Sequence, residues 1–198
     1  MLKEALKNYH IILASGSPRR HKFFHDLNIE FEVHLKPIKE EYPDRLKHFE
    51  ITNYLAQLKS LPFLDELADN DILITSDTIV WHENKALGKP RTLDEAFDML
   101  RSMSGKTHEV ITSVCLRAKN YQKTVYDITK VTFKEFSDEE ITYYVDNYDM
   151  MDKAGAYGIQ DWIGLIGVTK LEGSYFNVMG LPTHLLYKTL MDIANRTI

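Results

Sequence analysis

Apolar residues along the chain fall into short blocks separated by polar, glycine- or proline-bearing stretches, and the spacing inside each block predicts its element. The β-branched run at 11–13 reads as a buried strand that ends in Ala14-Ser15-Gly16-Ser17. A helix follows at once: Ser17 is placed to cap it, Pro18 takes the first helical position, and Phe23, Phe24 and Leu27 form an inward stripe. Over 46–60, Phe49, Leu55 and Leu58 recur at helical spacing with Lys59 near the end, and Leu61-Pro62 marks a stop or a kink. The run at 72–74 predicts a second strand, interrupted by Ser76-Asp77-Thr78, resumed by Ile79-Val80-Trp81 and turned at 82–85.

Further along, Thr92 with Glu95 and Ser137 with Glu140 have the spacing of capping boxes. The first opens a helix whose buried face is Ala96, Met99, Leu100 and Met103, with Gly105 as its end. The second opens a helix carrying Ile141, Tyr144 and Val145. Strands are expected at 110–116 and 125–133. The stretch 154–180 holds six of the nine glycines, and its apolar pieces at 163–171 and 175–179 read as a hairpin turning at Glu172-Gly173. Pro182 begins a last helix with Leu185, Leu186, Leu190 and Ile193.

Strands interleaved with helices, plus a hairpin, predict an α/β fold with a mixed sheet and helices on its faces. No repeat, low-complexity tract or linker interrupts the 198 residues, so one domain is expected.

Composition narrows the function. Apolar residues make up 44% of the chain, enough for a core, and 27% charged residues argue against disorder. The 24 basic residues are outnumbered by 29 carboxylates, a net charge of −5, which disfavours a nucleic-acid coat and requires any phosphate site to be a local basic cluster. A single cysteine, Cys115, excludes an internal disulfide, and no long apolar run suggests a membrane span or leader. A cytoplasmic protein is expected.

Several local groupings could carry chemistry. Ser15-Gly16-Ser17-Pro18-Arg19-Arg20 joins a strand end to a helix N-terminus, a place where unpaired N–H groups and two guanidinium forks can hold an anion; a capped surface helix with solvated arginines explains it equally well. Asp77 is either the tip of a turn, the commoner setting for aspartate, or an acid aimed into a cleft to bind a divalent metal or orient water. Lys59 and Lys89, the latter in Gly88-Lys89-Pro90, read alone as solvated lysines. Gln160 ends a glycine-rich stretch able to read a base, or simply a tight loop, and Glu40-Glu41 is either a metal ligand pair or an exposed one. The eight histidines include no HExxH motif, and no GxSxG elbow or Walker A loop is present.

In order, LASGSPRR at 13–20, SDTIV at 76–80, LGKP at 87–90, LRSMSGKTHEVITSV at 100–114, DKAGAYGIQ at 152–160 and GSYFNVMGLP at 173–182 resemble the Maf family of nucleotide pyrophosphatases, also called septum formation inhibitor proteins. The resemblance implies one domain over 1–198 with two lobes around an active-site cleft and an elongated central sheet. It implies hydrolysis of a nucleoside triphosphate to the monophosphate and pyrophosphate with Mg²⁺ or Mn²⁺, in a homodimer that binds neither nucleic acid nor membrane. SPRR and GAYGIQ are similar to the dTTP/UTP branch, with a role in clearing modified pyrimidine nucleotides. A 7-methyl-GTP enzyme of the same family and a nucleotide-binding regulator of cell division stay open as alternatives.

Carried over by motif, the resemblance implies Asp77 as proton acceptor and Arg19, Thr78 and Gln160 as determinants of nucleotide choice. Ser15, Ser17, Arg20, Lys59 and Lys89 would meet the phosphates, and Glu40 with Asp77 would hold the metal. Asp161-Trp162 after Gln160 and Ser60 after Lys59 depart from the family's usual glycine and alanine.

Overall fold

The computed structural model describes residues 1–195. After α1 (Leu2–Ala5), β1 (His10–Leu13) leads through the small-residue turn into α2 (Pro18–Asp26). Ser17 holds the cap position with extended backbone, but its hydroxyl makes no capping bond. Its N–H donates instead to Ser15 Oγ at 3.3 Å, so Ser15 is the side chain that organises this turn. β2 (Glu32–Val33) follows. α3 (Phe49–Ser60) then continues as a 3₁₀ turn at Leu61–Glu66, so Pro62 redirects the helix.

β3 (Asp71–His82) runs without a break through 76–78, so Asp77 lies inside extended structure and not at the tip of a turn. Ser76 and Asp77 are both buried inside it. A strand covered on both faces shows no hydrophobic alternation, so a polar triplet within it imitates a turn. β4 (Lys85–Leu87) pairs antiparallel with β3 across Glu83 and Asn84, whose φ angles of 47° and 62° are those of a two-residue hairpin turn. α4 (Leu93–Met103) is capped by Thr92, which accepts the Glu95 N–H, while the Glu95 carboxylate takes the N–H of Arg91 instead of closing the box on Thr92. β5 (Thr107–Ala118) and β6 (Tyr121–Phe133) precede α5 (Asp138–Asn147), whose Ser137–Glu140 capping box is complete.

The hairpin expected over 163–179 is not formed. The chain makes α6 (Trp162–Gly167), β7 (Val168–Glu172) and a single helical turn, α7 (Tyr175–Val178), before α8 (Thr183–Ala194). The reasons are local. The Ser174 hydroxyl accepts the Asn177 N–H and starts a helical turn where a return strand was expected. β7 pairs with β6, not with its successor, in antiparallel register Lys130↔Glu172 and Val131↔Leu171.

Among the described residues seven strands form one sheet in the order β2-β1-β3-β5-β6-β7, with β4 beside β3. β1 runs parallel to β2 and β3, so the sheet is mixed. Among the described residues no helix is long and apolar enough to cross a membrane.

The chain divides into two compact units. The first contains Met1–Asp77, Thr112–Asp127 and the chain from Gly180 onward. Ile12, Phe63, Leu67 and Leu73 pack together within it. Two buried hydroxyls fix α3 there: Thr75 donates to the Ala56 carbonyl at 2.6 Å, and Ser113 Oγ lies 2.6 Å from Thr52 Oγ1. The second unit, Thr78–Ile111 with Ile128–Met179, is built on Leu100, Met103, Val131, Phe133, Ile141, Tyr144 and Ile163. His108 is buried in that core with Nε2 2.7 Å from the Tyr157 hydroxyl.

Candidate active site

In the first unit, four elements bring charged groups to one place. Thr75 fastens α3 one turn before Lys59, so the Lys59 side chain lies along buried surface with its ammonium delivered to β3. Lys59 Nζ donates to Asp77 Oδ1 at 2.7 Å and lies 3.1 Å from Glu40 Oε2, the latter on an exposed loop. Two carboxylates thus share one cation. Burial is the strongest influence on Asp77 and raises its pKa above the ordinary carboxylate value; the charge and hydrogen bond of Lys59 and the charge of Arg20 oppose it, and Glu40 adds to the rise. An acid perturbed in this way, with named charge partners, is a candidate for chemistry.

Arg20 is held by the protein itself. Its Nε donates to the Gly180 carbonyl at 2.9 Å, and Nη1 lies 3.2 Å from Ser15 Oγ and 3.1 Å from the Ser76 carbonyl. Desolvation brings its pKa down to about 10, partly offset by the Asp77 charge, so the guanidinium stays charged at neutral pH. One side chain therefore connects the end of β1, the residue before Asp77 and the start of the α8 segment. Ser76 and Gly180 lie within the motifs at 76–80 and 173–182, but nothing in the sequence marks their carbonyls as the acceptors, because backbone acceptors carry no residue signature. His21 Nε2 donates to the Ser15 carbonyl at 2.6 Å and completes the turn. Arg19 and Ser17 are half-buried beside it.

Thr78, Lys89 and Gln160 belong to the second unit. Thr78 is half-buried on β3, while Lys89 and Gln160 are exposed. Their loops are joined: the Gly155 N–H donates to the Gly88 carbonyl at 2.9 Å, with Gly155 and Ala156 both in left-handed backbone (φ 69° and 60°). A non-glycine residue in that region stores strain, which concentrates at functional loops. Sequence patterns pointed to Tyr144 only as a core residue, yet its hydroxyl contacts this loop.

Among the described residues no three His, Cys, Asp or Glu side chains form a metal-holding group. Asp77 and Glu40 supply two carboxylates of the hard-oxygen kind that Mg²⁺ and Mn²⁺ prefer, so a divalent ion there would complete its shell with water and phosphate oxygens.

Residues 10–193 match the Maf-like protein family. The chain is 61% identical over 193 residues to a protein of Flavobacterium johnsoniae named dTTP/UTP pyrophosphatase, covering 98% of this chain and 100% of that one. A protein of the same name from Christiangramia forsetii is 58% identical over 195 residues, covering 98% and 100%. Among solved structures, the Staphylococcus aureus Ham1 protein superposes with a TM-score of 0.51 at 15% identity, over 93% of this chain and 99% of that chain, a likeness of fold.

Proposed function

Because the chain belongs to the Maf family, we propose that it hydrolyses dTTP and UTP to the nucleoside monophosphate and pyrophosphate. The buried Lys59–Asp77 contact carries this reading: a carboxylate raised above its ordinary pKa and held at one oxygen by a lysine is an oriented base. Full-length identity to two proteins named for that activity supports the substrate assignment.

Lys59 fixes Asp77 through Oδ1, and we assign the second oxygen, Oδ2, to the attacking water. The water oxygen bonds to the α-phosphorus as the bond to the bridging oxygen breaks. The water proton passes to Asp77, and the electron pair leaves with pyrophosphate. Lys59, Arg19 and Lys89 offset the charge that builds on the phosphate oxygens, with Ser15 and Ser17 positioned at the α2 N-terminus. Arg20 holds the Ser15 hydroxyl and the Ser76 carbonyl in place while adding its charge to the same region. A Mg²⁺ or Mn²⁺ ion held by Asp77 and Glu40 would supply Lewis-acid charge to the phosphates. Arg19, Thr78 and Gln160 select the pyrimidine through hydrogen bonds that a wrong base leaves unmade. We place the enzyme in the cytoplasm, as a homodimer, acting on free nucleotides and not on nucleic acid, with modified pyrimidine nucleotides among its substrates.

Chromatography of the products from dTTP, UTP and 7-methyl-GTP, with and without Mg²⁺ or Mn²⁺, tests the reading. TMP and UMP with pyrophosphate are expected. Release of orthophosphate, faster turnover of 7-methyl-GTP, or binding of dTTP with no pyrophosphate released would each overturn it.

A further inference from the structure

Gln160 lies between two residues fastened to one hydroxyl. Tyr144 Oη donates to Asp161 Oδ2 at 2.8 Å and accepts the Gly158 N–H at 3.3 Å. Tyr144 itself is fully buried in α5, its ring stacked on Tyr148 at 5.1 Å. Lys153 Nζ stands 3.8 Å from the same Asp161 oxygen. The packing leaves no slack. A Cβ at Gly158 would lie 2.5 Å from Asp161 Oδ2, and one at Gly164, in α6, would lie 2.1 Å from the Ile159 carbonyl oxygen. The turn is thus pinned at 158 and at 161 and backed by α6 beneath 159, with Gln160 exposed between the pins.

We propose that the Tyr144 hydroxyl and the Asp161 carboxylate are positioning residues for base selection, acting through Gln160. The inference rests on the role assigned to Gln160 above. An amide distinguishes bases only when its donor and acceptor are held in register with the base edge, to within about 0.5 Å. A turn containing glycine does not hold that register by itself. The buried ring supplies a fixed point, and its hydroxyl transmits it to both sides of Gln160.

The test compares kcat/KM for dTTP and GTP, and the melting temperature, in Tyr144→Phe, Asp161→Ala, Gln160→Ala and the Tyr144→Phe/Gln160→Ala double variant. Tyr144→Phe and Asp161→Ala are each expected to lower the dTTP/GTP ratio by about tenfold. In the double variant the ratio should fall no further than in Gln160→Ala alone, since coupled residues are not additive. Asp161→Ala leaves the buried ring in place and gives the answer if Tyr144→Phe does not fold. A purely structural role lowers the melting temperature and both kcat/KM values together, leaving the ratio unchanged, and that result overturns the inference. An additive double variant does so too. An unchanged ratio in Gln160→Ala overturns the Gln160 assignment and this inference with it, whereas a shift there without one in Tyr144→Phe and Asp161→Ala overturns this inference alone.

Discussion

The Lys59 ammonium meets Asp77 Oδ1 at 2.7 Å with the two side chains only 17% and 8% exposed, so the carboxylate and the cation that steadies it are withdrawn from water together. Burial outweighs Lys59 in setting the Asp77 pKa, and the folded state therefore binds this proton more tightly than the unfolded chain does. The sign follows: Asp77 favours folding less as pH rises from about 3.8 upward. Asp77→Asn, which removes the charge, should keep or raise the melting temperature while lowering kcat by about 10²-fold or more. Calorimetry beside turnover checks both halves, and an active variant removes Asp77 from the mechanism.

Lys59 pulls the Asp77 carboxyl down by its charge and by its hydrogen bond. In Lys59→Met the carboxylate should ionise only at higher pH, so the acid limb of the kcat/KM profile moves upward. A limb that stays in place would mean that a group other than Asp77 controls it.

Arg20 uses Nε and Nη1 on three separate acceptors. A lysine keeps the charge but not the fork, so Arg20→Lys should lose about 2–4 kcal/mol of unfolding free energy and most activity. Urea titration of the variant decides this, and a loss under about 0.5 kcal/mol, typical of a surface site, would contradict it.

His108 is 2% exposed, and burial, aided by the nearby His82, brings its pKa down from 6.5 to about 3. Its neutral form belongs to the folded state, so its contribution is complete above pH 6.5 and is lost as pH falls towards 3, at about 1.4 kcal/mol per unit. In His108→Gln, stability should be flatter over this range. Denaturant unfolding at several pH values between 4 and 7 measures the slope.

Much of the fold is legible in local pattern where one rule acts alone. Ser137 and Glu140 cap α5 as their spacing predicts, and the stripe of Leu186, Leu190 and Ile193 buries α8. The failures share a cause. The piece beginning at Ile163 reads as a strand but starts within a helix, where Gly164 lets the Ile159 carbonyl pack in the place of a side chain. Local sequence leaves Asp77 open between a turn tip and a buried acid because the groups that accompany the buried acid, Lys59 and Arg20, lie elsewhere in the chain. The identity of the charged residues was therefore available from sequence motifs, while the Arg20 acceptors at Ser76 and Gly180 and the Tyr144 hydroxyl became apparent only in three dimensions.

The bond from Arg20 to the Gly180 carbonyl also orders events during synthesis. Arg20, Lys59 and Asp77 are all translated in the first half of the chain, but the acceptor that locks the guanidinium is made near the end. A nascent polypeptide still attached to the ribosome lacks this clasp until its last helix is being added, and contacts so distant along the chain form late. A product truncated before residue 180 lacks this acceptor and should be inert towards nucleoside triphosphates.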